Sequence, residues 1–124
     1  MALFSLSIEQ PYINITASGN THTVDFSKPG NNYKITANNA TNIIAFSNLS
    51  SNLQGKGGSI IISNPSSVGS LGWAELPSTA YTPGGSAINF DTSSNGIAVI
   101  SYLVMSSNKV LINYVGDFGS YPQP

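Results

Sequence analysis

The sequence predicts an all-β protein: an antiparallel β-sandwich or jelly-roll-like single domain with essentially no helix. Three observations carry that expectation. Apolar and polar residues alternate with a period of two through the first third of the chain, turn residues interrupt the alternation at short intervals, and no segment sustains an i, i+3, i+4, i+7 apolar stripe. At 124 residues the chain is about one average domain long, enough for one core, and it shows no interior repeat or domain boundary.

The alternation begins at once. Phe4, Leu6 and Ile8 oppose Ser5, Ser7 and Glu9, so residues 1–10 read as an N-terminal strand or arm. Ile13, Ile15 and Ala17 alternate with Asn14 and Thr16, Val24 and Phe26 with Thr23 and Asp25, and Tyr33, Ile35 and Ala37 with Lys34 and Thr36. Each reads as a strand with one buried and one wet face. Pro11, Gly19-Asn20, Pro29-Gly30 and Asn38-Asn39 are the turns between them. Further on, residues 42–46, 59–62, 97–105 and 110–115 are apolar on both faces. Asn95-Gly96 signals a tight turn, and Ser106-Ser107-Asn108 closes a hairpin between the last two long strands. Residues 63–86, rich in Ser, Gly and Pro around Trp73 and Tyr81, read as a long loop with a short strand at 72–76, and residues 119–124 as a flexible tail.

Charged residues make up 7% of the chain, against roughly 25% in ordinary soluble proteins. Ser, Asn, Gly and Thr supply 54 of the 124 residues, so neutral polar groups carry solubility and copies repel one another little. There is no Arg and no basic cluster, which argues against nucleic acid as a partner. No Cys is present, so disulfides, thiol chemistry and Cys-based metal sites are excluded, and folding in a reducing cytoplasm is favoured. The N-terminus lacks the basic start and apolar run of a signal peptide, and no run approaches the ~18 apolar residues of a membrane helix.

Chemistry-bearing motifs are sparse. His22 is the only histidine; at i and i+3 on one strand, His22 and Asp25 point to opposite faces, so a triad with a serine fails and a surface strand histidine is the expectation. Asp91-Thr-Ser-Ser-Asn95-Gly96 opens like a calcium loop, but Tyr102 stands where the bidentate Glu belongs. Gly55-Lys56-Gly57-Gly58 leads into a strand rather than a helix, so it is a flexible strand entry and not a phosphate cradle. No pair of the five carboxylates stands out as a glycosidase pair. Catalytic residues, metal and cofactor are therefore all expected to be absent. Trp73 and Tyr81 form the one ligand or partner loop that the sequence suggests, either pinning the loop to the body or stacking on sugar rings.

Gly55-x-Gly57-Gly58-x-Ile60-x-Ile62, then Gly84-Gly85, then Asn95-Gly96-Ile97-x-Val99-Ile100-Ser101-Tyr102-x-Val104, and finally Val110-Leu111-Ile112-x-Tyr114-Val115-x-Asp117-Phe118 resemble a β-rich module of tailed-bacteriophage virion proteins, including tail-fibre regions and small capsid-associated proteins. The resemblance spans residues 42–118 and departs at Ser63-Asn64-Pro65, where the pattern has Gln or another polar strand residue. It implies a virion structural protein assembled in the host cytoplasm. The expected role is a capsid decoration (cement) protein on the head surface, bound to the major capsid protein and to itself as a homotrimer; a short chain starting at its own Met fits an accessory protein better than a fibre. The alternative it implies is a receptor-binding tail tip or lectin-like module gripping glycans.

Self-association is also expected from the last two strands. On residues 97–105, Ala98, Ile100, Tyr102 and Val104 form one face and Ile97, Val99, Leu103 and Met105 the other; on the next strand Val110, Ile112 and Tyr114 oppose Leu111 and Val115. One face fills the core. The other, left wet, forgoes ~1.5–3 kcal/mol per aliphatic side chain. The expected interface is drawn from both faces: Ile97, Val99, Ile100, Tyr102, Leu103, Val104, Leu111 and Val115.

Overall fold

The computed structural model describes residues 12–39, 41–65, 72–88, 90, 95–119 and 122, with backbone only at 72–75 and 117. The expected strand at residues 1–10, the calcium-like stretch at 91–94 and most of the expected tail lie outside the described residues. Among the described residues nine strands follow in order: β1 (Ile13–Asn14), β2 (Thr21–Asp25), β3 (Asn32–Thr36), β4 (Thr41–Ser47), β5 (Gly57–Ser63), β6 (Gly72–Glu75), β7 (Ala80–Tyr81), β8 (Ile97–Ser106) and β9 (Lys109–Phe118). Helical structure among the described residues is limited to single 3₁₀ turns at Ser51–Leu53 and Pro83–Gly85. The all-β expectation holds, and the short strand expected in the long loop is β6.

Strand direction differs from expectation. A six-stranded sheet runs β1-β3-β5-β8-β9-β7 and a three-stranded sheet β2-β4-β6. Among the described residues, β1/β3, β3/β5, β2/β4, β4/β6 and β7/β9 are parallel, and only β5/β8 and β8/β9 are antiparallel. The turns at Gly19-Asn20, Pro29-Gly30 and Asn38-Asn39 pass the chain from one sheet to the other instead of folding it back on itself. Each of the first four strands therefore pairs with the next but one, and the intervening strand supplies the long crossover that parallel pairing needs. The first six strands thus wind as coils, in the manner of a β-solenoid. Paired positions lie 20, 22, 27 and 31 residues apart (Ile13 with Tyr33, Thr21 with Ile43, Asn32 with Ser59, Thr41 with Gly72). That widening spacing is why no repeat shows in the sequence.

Inward side chains of both sheets share one core: Val24 and Ile44 from one, Tyr33, Ile35, Ile60, Ile62, Ile100 and Ile112 from the other. They stack in register, as in the row Ile13, Tyr33, Ile60, Ile100, Tyr114 across five neighbouring strands. At one end Phe26 meets Tyr33, Phe46 and Tyr102 edge-on, with ring centroids 5.9, 5.1 and 5.3 Å apart.

Candidate functional site

The hairpin turn at Ser107-Asn108 holds β8 and β9 together as expected, and their register decides which side chains face out. Ala98, Ile100, Tyr102, Val104, Val110 and Ile112 are buried in the core. This corrects the expected interface: Ile100, Tyr102 and Val104 belong to the protein's own interior and are unavailable to a partner. Ile97, Val99, Leu103, Leu111 and Val115 point the other way.

Eight large apolar side chains among the described residues are conspicuously exposed, and seven of them lie on this outer face: Tyr81, Ile97, Leu103, Met105, Leu111, Val115 and Phe118, each between 39% and 54% exposed. The face is laid out in rows. Tyr81, Leu111, Leu103 and Gly57 run across four strands. The next outward row is polar: Asn113, Ser101, Ser59 and Asn32. Beyond it lie Val99 with Ile61, then Ile97 with Phe118. The polar row is internally bonded, with Ser59 Oγ donating to Asn32 Oδ1 at 2.9 Å and Ser101 Oγ to the Asn113 carbonyl at 3.4 Å.

Sequence reasoning missed two members of this face. Strict alternation along β9 turns Phe118 inward, but the register shifts where Val99 and Ile100 pair with Gly116 and Tyr114. Val115 is the extra residue of a β-bulge, Gly116 takes the positive φ of 137° there, and Phe118 comes opposite outward-facing Ile97. The Gly-rich sequence around it carries no readable signal for this. Tyr81 was expected in a loop; it sits on β7, paired with Leu111, and the Lys109 ammonium lies 5.5 Å from its ring centre. Beside it a shallow cleft of ≈ 350 Å³ is lined by Thr82, Pro83, Ser86, Ala87, Ile88, Asn113 and Tyr114. The Trp73 side chain lies outside the described residues; its backbone pairs with Asn42.

The remaining polar candidates are structural in geometry. His22 is fully buried, a correction to the surface position expected of it. It shares the inward parity of Val24 and Phe26, the signal that identifies it. Asn42 Nδ2 donates to the Asn39 carbonyl at 2.8 Å, which turns Oδ1 toward His22 Nε2, 3.0 Å away, and makes Nε2 the donor. Asp25 is half-buried and faces away; its carboxylate accepts from the Ser27 hydroxyl at 2.6 Å, the Asn48 amide at 2.9 Å and the Ser27 N–H at 3.0 Å, and the Ser27 and Asn48 hydrogen bonds hold it below the ordinary aspartate range. A second cleft, of ≈ 200 Å³, lies between Ile13–Thr16 and Thr23, Asp25, Lys28 and Tyr33, with no second carboxylate or histidine on its walls among the described residues. Among the described residues, no three His, Cys, Asp or Glu side chains converge as a metal site, and no helix is long and apolar enough to cross a membrane. Lys56 is not part of a flexible entry: its ammonium donates to the carbonyls of Phe26 at 2.8 Å and Lys28 at 3.0 Å and to the Tyr33 hydroxyl at 3.1 Å.

Comparison with protein-family models, curated proteins and solved structures finds no match to this chain.

Proposed function

We propose that this chain is a non-catalytic structural protein of a phage virion, a capsid decoration subunit that works by association through the outer face of β8 and β9. The observation that carries the reading is the concentration of seven exposed large apolar side chains there, six on β8 and β9 and Tyr81 on the adjoining β7. Isolated apolar residues are ordinary on a surface, but contiguous patches mark contact sites. The near absence of charge fits dense packing of many copies, since neighbours repel little. The capsid partner and the virion setting rest on the strand-pattern resemblance over residues 42–118. In this role the protein binds the assembled shell and not its free subunits, so it stabilises the shell by mass action.

The test compares particles with and without the protein. Particles lacking it should release DNA at lower temperature and under osmotic stress while adsorbing to cells normally. Unchanged heat resistance in the depleted particles sinks the decoration role.

One observation favours a second reading, a receptor-binding or lectin-like module. Tyr81 presents a half-exposed ring with Lys109 against it, beside the cleft at Thr82 and Tyr114. Poor adsorption of the depleted particles with normal heat resistance selects that reading.

A further inference from the structure

We infer that the outer face of β8 and β9 is completed by a second copy of this chain, packed face to face about a two-fold axis that lies along the polar row of Ser101 and Asn113. The inference rests on the association reading and names the occupant of its face.

Three features of the face select a second copy. The first is its pattern. The polar row lies between two apolar bands, Ile97 with Val99 on one side and Leu103 with Leu111 on the other. Rotation about an axis along the polar row places Val99 and Val115 of one copy over Leu103 and Leu111 of the other, and Ser101 and Asn113 over their own counterparts. Apolar then meets apolar, and the hydroxyl and carboxamide groups meet groups of their own kind, with both donors and acceptors to pair. A foreign partner would have to reproduce this banding; a second copy has it by construction. A two-fold contact uses one patch twice, whereas the three-fold ring implied by the phage resemblance ordinarily joins two different patches.

The second feature is size. At ~3.3 Å per residue and ~4.8 Å between neighbours, the two ten-residue strands give ~320 Å² in projection, ~460 Å² with the adjoining residues of β5 and β7, and more over the side-chain relief. With that relief the face comes to the lower edge of the ~600–1,000 Å² each partner contributes to a specific interface. The face suffices for a pair of small chains and is too small for an obligate assembly with a large one.

The third is charge. Among the described residues, no carboxylate side chain lies in its apolar rows; Lys34 is in register with Ile61 at one margin, and the Lys109 ammonium is held against Tyr81 at another. The face therefore offers nothing to steer an oppositely charged partner, and two copies bring no like charges to its centre. In the virion setting, such a pair presents two identical remaining surfaces and grips two neighbouring capsid subunits at once, with the gain of bivalency.

The absence of cysteine from the chain makes the arrangement directly testable. Light scattering on the purified protein over a dilution series should give twice the chain mass of 12.9 kDa at ~100 µM. Val115→Lys alters an exposed position, so it should fold normally, checked by circular dichroism, and weaken the pair ~30-fold or more, as for a central contact residue. Ser101→Cys should join to a covalent dimer with a short bis-maleimide, whereas Lys28→Cys, on the exposed β2–β3 turn, should stay single. A monomer or a trimer at ~100 µM overturns the inference, and so does a dimer in which Ser101→Cys does not join. These results are independent of particle stability: a monomer that still protects particles sinks the pair alone, and a dimer that never protects them sinks the virion reading alone.

Discussion

Lys56 binds by its ammonium to two main-chain carbonyls on residues 26–28 and to the Tyr33 hydroxyl, which itself donates to the Asp25 carbonyl at 3.0 Å. One side chain thus ties the entry of β5 to the turn after β2 and to the core aromatic of β3. Burial works against it, lowering the lysine below its ordinary range, so the hydrogen bonds hold the charge in place against a desolvation cost. Lys56→Met keeps the stem and removes the donors, leaving the Phe26 and Lys28 carbonyls unmatched. It should destabilise the fold by ~1–3 kcal/mol in urea unfolding, while Lys109→Met, on an exposed ring, should change stability by less than ~0.5 kcal/mol. Equal effects from the two variants would show that the clip contributes nothing of its own. His22 and Asn42 play a comparable part in the other sheet: their bond crosses from β2 to β4 inside the protein, and the Asn38 N–H, 3.3 Å from Asn42 Oδ1, ties the preceding turn to it.

At the level of elements, β5 joins the coiled part of the fold to the antiparallel hairpin, pairing in parallel with β3 and in antiparallel with β8. Gly58 is the point of closest approach. A Cβ there would collide with the Asn31 carbonyl, the same oxygen that accepts from the Tyr102 hydroxyl at 2.8 Å. Gly58→Ala should therefore push β3 and β5 apart and break the tyrosine's bond, at a cost of ~1–3 kcal/mol. Gly119→Ala, with open space around it, is the control. Thermal melting separates them, and a Gly58→Ala variant that melts with the wild type contradicts the close approach. The pairing of Gly with turn or strand entry is legible in the sequence; what makes Gly58 obligatory is a backbone 27 positions away in the chain, at Asn31.

For the whole molecule, scarcity of charge leaves few groups to link stability to pH. Two tyrosines are exceptions. An unfolded tyrosine ionises near pH ~10; burial in the core pushes Tyr33 up to about 12 and raises Tyr102 as well, the neighbouring Tyr33 adding to the effect. Folding holds both hydroxyls neutral, so their contribution is complete below pH ~10 and is lost as pH climbs through about 12. Lys56, lowered from 10.5, acts in the opposite sense up to that value, which places the readable loss above it. The urea midpoint should fall between pH ~10.5 and 12, and fall less in Tyr102→Phe. A midpoint level across that window contradicts the burial of these hydroxyls.

Alternation by itself determined which residues pair with the interior: Val24 and Phe26, Tyr33 and Ile35, and the split of residues 97–105 into two faces all follow from the period of two, because successive side chains on any strand point to opposite sides. Parity cannot say which of two apolar faces is the inner one, nor whether a neighbouring strand runs parallel or antiparallel, since both ladders share the same period. Only the tertiary structure decided these. It buried Ile100, Tyr102 and Val104 against the coils and left Leu103, Leu111 and Val115 outside, and it paired Tyr33 with Ile60 in parallel through a crossover that the unequal loops conceal. The bulge at Val115 then reversed the parity of the last residues and added Phe118 to the exposed face, a change made by backbone register that a linear pattern does not carry.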